Sequence, residues 1–114
     1  MSLIYHLAKA GVWADAQQSG GAYTGAVEDT ADGFLHFSTA GQIIESAARH
    51  RTGERDLVLL AVEADGLGDE LRWERSRGGA EFPHLYGALP LAAVRWAKPL
   101  PLGPDGRHEF PDLD

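Results

Sequence analysis

The chain has 114 residues, enough for one compact domain that buries roughly 65% of its unfolded surface. It has no cysteine, which excludes disulfides, thiolate nucleophiles and cysteine-ligated metal centres. The formal net charge is −7, and the basic residues are scattered apart from Arg49/Arg51 and Arg72/Arg75/Arg77, so duplex nucleic acid is not an expected partner.

The start, MSLIYHLAKA, lacks the charged leader and cleavage pattern of a signal peptide. No apolar run approaches the ~20 residues needed to span a bilayer. The expectation is a soluble, cytoplasmic protein without a membrane partner.

Residues 3–8 (LIYHLA) read as a first strand, with Ile4 and His6 on one face and Leu3, Tyr5 and Leu7 on the other. Residues 10–18 read as a short helix carrying Val12, Trp13 and Ala16, stopped by Ser19-Gly20-Gly21. The polar, glycine-rich residues 20–32 are expected to cross the surface as a loop. Residues 33–38 (GFLHFS) form a second strand, with Phe34, His36 and Ser38 on one face and Leu35 and Phe37 on the other. A helix begins at once: Thr39 is a good N-cap and Gln42 completes a capping box. Ile43, Ile44, Ala47 and Ala48 give this helix an apolar side, Glu45 and Arg49 form an exposed (i, i+4) pair, and Gly53 ends it.

Residues 56–63 (DLVLLAVE) are apolar without alternation, the pattern of a strand buried on both faces. After turns at residues 65–69, Leu71-Arg72-Trp73-Glu74 is a short strand with Leu71 and Trp73 inward. Arg75 to Glu81, with Gly78-Gly79, is expected to be a mobile loop. Phe82 to Tyr86 is extended, because Pro83 disfavours helix for its predecessor. Ala92 to Leu100 is a last strand, placed at an edge by Pro99 and Pro101. The expected fold is a single α+β domain over residues 1–103: a mixed, mainly antiparallel sheet, whole or split in two, with two helices on it. Residues 104–114 form an acidic tail expected to fray.

Three histidines interrupt apolar stretches: His6 in LIYHLA, His36 in GFLHFST and His84 in EFPHLYG. Burying an imidazole without partners costs about 1–3 kcal/mol, so each needs a hydrogen bond or a function. The reading gives His6, His36 and His84 one shared concave surface, while His50 and His108 are expected to be solvated. Ser38 and Thr39 stand where a strand meets a helix N-terminus, a corner able to receive phosphate. Glu74 and Glu81 are candidate carboxylates for general base work, and Trp73 and Tyr86 offer flat rings for stacking. Three histidines could also hold a metal, but they lack ligand spacing, so no metal site is expected.

The set IYHLA, Trp13, GFLHFST with Gln42, DLVLL, LRWE and FPHLYG, in that order, resembles the family known as domain of unknown function 952, from about residue 3 to 96. Family members often carry a cysteine after the second-motif histidine; here Phe37 stands there. That family is in turn distantly similar to ADP-ribosyltransferase-like folds. This similarity implies that His6 contacts the nicotinamide ribose of NAD, that His36 and Ser38 form the second motif, and that a later glutamate completes the site. Glu74, Glu81 and His84 all remain open for the third position, and no E-x-E pattern is present. The functional expectation is therefore an enzyme-like cleft for NAD or a related nucleotide. The alternatives are a non-catalytic small-molecule or metal-binding module, or an interaction protein with structural histidines. The oligomeric state is not encoded in any visible pattern.

Overall fold

The computed structural model describes residues 2–76 and 79–113, apart from the side chain of Glu28. β1 (Leu3–Lys9), β4 (Leu57–Glu63) and β8 (Val94–Leu100) form an antiparallel sheet in the order β1-β4-β8. A second antiparallel sheet runs β3-β6-β5, from β3 (Leu35–His36), β6 (Glu81–Leu85) and β5 (Leu71–Arg75). The two sheets are stitched where Tyr5 and Ser38 exchange backbone hydrogen bonds of 2.7 and 2.8 Å. A two-stranded ribbon, β2 (Ala22–Tyr23) with β7 (Leu89–Pro90), completes the set. The helices are α1 (Ala10–Ser19), α2 (Val27–Asp32) and α3 (Ala40–His50). The fold is α+β with a split sheet, and every described strand pair is antiparallel.

The central strand β4 is covered on both sides, as its unbroken apolar run requires. Leu60 and Val62 join Ile4, Trp13, Tyr23, Leu35, Phe37 and Leu85 in one core. Leu57, Leu59 and Ala61 face the other, with Tyr5, Ile43 of α3 and Leu100. Each fully buried leucine of this kind contributes about 1.5–3 kcal/mol. β8 lies at the sheet edge, where its Pro99 breaks no interior ladder.

Several expectations need correction. The stretch 20–32 is not a plain loop: it holds β2 and α2, so there are three helices among the described residues rather than two. Gly25 turns the chain into α2 with φ +86°, and a Cβ there would meet Leu35 Cδ2 at 2.5 Å and Asp29 Oδ2 at 2.8 Å. Ile44 is exposed, because the buried stripe of α3 narrows to Ile43 and Ala47. Trp73, expected inward with Leu71, is 46% exposed, since β5 is an edge strand. The tail is packed on the domain: Phe110 and Leu113 lie against the second core, and His108 Nε2 donates to the Glu54 carbonyl at 2.7 Å. His108 is thus bonded rather than merely solvated. In the 75–81 segment, Ser76 and Ala80 close a turn through a 3.0 Å backbone bond, and the expectation of mobility for residues 77 and 78 falls outside the described residues. No helix among the described residues is long and apolar enough to cross a membrane.

Candidate functional site

The three histidines converge because of the sheet register. His36 and His84 are direct partners across β3 and β6, and side chains in such pairs lie within about 5 Å of each other at Cβ. Their rings stand edge to face, 5.8 Å apart. The Tyr5–Ser38 stitch then brings β1 alongside, so that His6 reaches the His36 backbone. His6, His36, Ser38 and His84 line one cavity of about 310 Å³. That volume lies at the small end of ligand sites.

His6 is 2% exposed. Its Nδ1 lies 2.6 Å from the His36 carbonyl, which can only accept, so Nδ1 carries the proton. Burial pushes the His6 pKa down, outweighing the attraction of Asp29, so the ring is neutral. Its Nε2 therefore accepts, and the Tyr23 hydroxyl donates to it at 2.8 Å. Both ring nitrogens are spent inside the protein.

His36 is held differently. Nδ1 lies 2.8 Å from Asp29 Oδ1 and Nε2 lies 2.9 Å from Asp32 Oδ2. Two carboxylates require two donors, so the ring is an imidazolium, and the hydrogen bond to Asp29 raises its pKa above the ordinary value despite partial burial. Asp29, 4% exposed, also accepts from the backbone N–H of Ala26 and of His36. Burial alone would raise its pKa; the His36 bond and these backbone donors outweigh that and hold it low.

His84 has one nitrogen to spare. Its Nδ1 lies 2.8 Å from Glu74 Oε1. The same oxygen accepts from the Tyr86 hydroxyl at 2.6 Å. The Tyr86 bond first, then the His84 bond, keep the Glu74 pKa low, and in return Glu74 raises that of Tyr86. An ionised Glu74 fixes the proton on Nδ1. His84 Nε2 has no protein partner among the described residues. Phe34 stacks on His84 with centroids 4.2 Å apart and also meets Tyr86 at 5.1 Å, while the Arg72 guanidinium covers the outer face of the tyrosine.

The expected site residues thus separate. His6, His36, Ser38 and His84 share the cavity, with Glu74 and Tyr86 directly behind His84. Thr39, Trp73 and Glu81 do not line it. Thr39 caps α3: Gln42 Oε1 accepts from its N–H at 3.0 Å, and Gln42 Nε2 donates to the Glu81 carbonyl at 2.8 Å. Local capping accounts for this corner, and α3 presents its flank, not its N-terminus, to the cavity through Ile43, Ser46 and His50. His50, expected to be simply solvated, is therefore a wall residue. Sequence reasoning missed Tyr23, Asp29, Asp32 and Phe34. The one available signal was spacing: Asp29, Asp32 and His36 follow at i, i+3 and i+7. No group of three or more His, Asp or Glu side chains is placed to hold a metal ion among the described residues.

The molecule is thus an α+β domain with a histidine-lined cavity closed by an ionic clamp on one side and a carboxylate–histidine pair on the other. The sequence matches the family described as protein of unknown function (DUF952) over residues 7–97, and the chain belongs to that family. Its structure is similar to the crystal structure of protein CC0527 from Caulobacter crescentus, 44% identical, with a TM-score of 0.89 over 95% of this chain and 94% of that one. The solution NMR structure of CC0527 is 46% identical and superposes with a TM-score of 0.81, over 94% and 91% of the respective chains. Among curated proteins, no match is found.

Proposed function

We propose that the cavity binds a nucleoside-type small molecule, with NAD the first candidate, and that His84 is the catalytic residue that meets it. The observation that carries this reading is the oriented His84: one nitrogen fixed by Glu74, the other without a protein partner among the described residues, in a ring that lines a cavity. A histidine so arranged has the geometry of a general base, with an open ring nitrogen facing a bound nucleophile. Glu74 and Tyr86 are positioning residues, as are His6 and His36, whose nitrogens are already engaged.

A volume of about 310 Å³ accommodates one nucleoside-sized part of a dinucleotide. For the nicotinamide riboside half of NAD, the reaction is displacement at the ribose C1′. Water or an acceptor hydroxyl forms the new C–O bond while the C1′–N bond breaks. The nicotinamide leaves as a neutral base with the bonding pair, and the nucleophile's proton passes to His84 Nε2.

The spent nitrogens of His6 and His36 favour a second reading, a binding module without catalysis. Thermal melts with NAD, ADP-ribose and nicotinamide riboside address the binding shared by both. A ligand that binds only the folded state at a hundredfold its Kd adds about 2.7 kcal/mol of stability. The expected result is a raised Tm with at least one of these, abolished by His84→Leu. No shift with any of them at millimolar concentration overturns the nucleoside reading. Chromatography of the same mixtures then separates the two: released nicotinamide marks the enzyme, and unchanged ligand marks the module.

A further inference from the structure

Arg51, Ser46 and His50 also line the cavity and take no part in the histidine site described above. Arg51 sits at the C-terminus of α3, and its side chain is 23% exposed. Its Nη1 donates to Glu54 at 3.3 and 3.5 Å. Its Nε and Nη2 have no protein partner among the described residues. Ser38 is 5% exposed, yet its hydroxyl has no protein partner either, and the same holds for the hydroxyl of Ser46 on the α3 flank. No buried side-chain nitrogen or oxygen among the described residues lacks a partner. These open donors are therefore in contact with solvent, and the cavity they line is where a ligand would meet them. His50, one helical turn beyond Ser46, adds an imidazole to the same wall.

Local charge supports an anion here. Glu54 is bonded to both Lys9 and Arg51, so this trio carries a net positive charge. Asp32 is the one carboxylate among the described wall residues; it shares the His36 imidazolium with Asp29, so that clamp keeps one negative charge while the trio around Arg51 keeps one positive charge. A guanidinium edge offering two parallel N–H groups matches the oxygens of an oxyanion such as phosphate, and the Ser38 and Ser46 hydroxyls of the same cavity wall can donate to further oxygens.

We infer that Arg51, with Ser38, Ser46 and His50, forms a phosphate-binding part of the cavity, so that the ligand class is a nucleoside carrying a 5′-phosphate. This rests on the reading of the cavity as a nucleoside site. It also moves the phosphate from the α3 N-terminus, where the sequence suggests it, to the α3 flank.

The test compares nicotinamide riboside with nicotinamide mononucleotide, which differ by that phosphate, using calorimetry on the intact protein, with inorganic phosphate as competitor. The expected result is that the mononucleotide binds at least about tenfold tighter, the effect of one charge-assisted contact. Arg51→Gln should erase that preference without weakening the riboside, and His50→Ala, at an exposed position, should reduce it. Arg51→Lys, which retains the charge and loses the fork, guards against a folding defect and should restore part of the preference. Equal affinity for the two probes, or a preference that survives Arg51→Gln, overturns the phosphate site and leaves the nucleoside reading intact. No binding of either probe or of inorganic phosphate overturns both.

Discussion

Glu74 Oε1 accepts two hydrogen bonds at once, from His84 Nδ1 at 2.8 Å and from the Tyr86 hydroxyl at 2.6 Å, so the tyrosine and the histidine are tied through a single oxygen. The consequence for His84 is a fixed tautomer. The consequence for Tyr86 is a phenol whose proton is held by an anion.

That second consequence can be measured alone. Of the three tyrosines, Tyr5 and Tyr23 are fully buried, and Tyr86 has its pKa raised by Glu74. In Glu74→Gln the anion is gone, and the Tyr86 phenol should titrate at lower pH than in the wild type. Ultraviolet titration near the phenolate band checks it. An unchanged titration would mean that the bond to Glu74 is not maintained in solution.

His36 makes stability depend on pH in a direction fixed by its shift. Its folded pKa is raised above the ordinary 6.5, so the folded state binds the proton more tightly than the unfolded chain. The stabilisation is full below about pH 6.5 and is lost as the pH rises through the folded value. The Tm gap between wild type and His36→Gln should therefore be widest at pH 6 and shrink toward pH 9. A gap that is flat across this range contradicts the ionic clamp.

His6 should behave as part of the core. Both its nitrogens are bonded and the residue is 2% exposed, so His6→Ala removes ring volume and orphans two partners. The expected cost is about 2–4 kcal/mol, comparable with Leu59→Ala at about 2–5 kcal/mol. Tyr23→Phe, which deletes only the hydroxyl, should cost about 1–2 kcal/mol. Denaturant melts check all three; a His6→Ala variant within 0.5 kcal/mol or so of wild type would return His6 to the list of accessible site residues.

The sequence made visible what is local or periodic. The double burial of β4, the cap at Thr39 and the facing of His6 and His36 all follow from spacing within a few residues. Partners were invisible where the chain supplies them from afar: the His36 carbonyl lies 30 residues from the His6 ring it holds, and Tyr23 lies 17 residues away. The stretch 20–32 carries no apolar period, and α2 is only six residues long. A helix that short is not stable from propensity; Asp29 anchors it by accepting from Ala26 and His36. Trp73 shows the converse case. Alternation put it inward with Leu71, but it is 46% exposed, because alternation could not show that β5 would be an edge.

The most direct measurement is a long-range ¹H–¹⁵N spectrum of the histidine ring nitrogens during titration with NAD. The account predicts that His84 Nε2 shifts on binding, while the ring nitrogens of His6 and His36, engaged by Tyr23, Asp29, Asp32 and the His36 backbone carbonyl, stay close to their free positions. A titration in which NAD binds and His84 Nε2 does not move would contradict it.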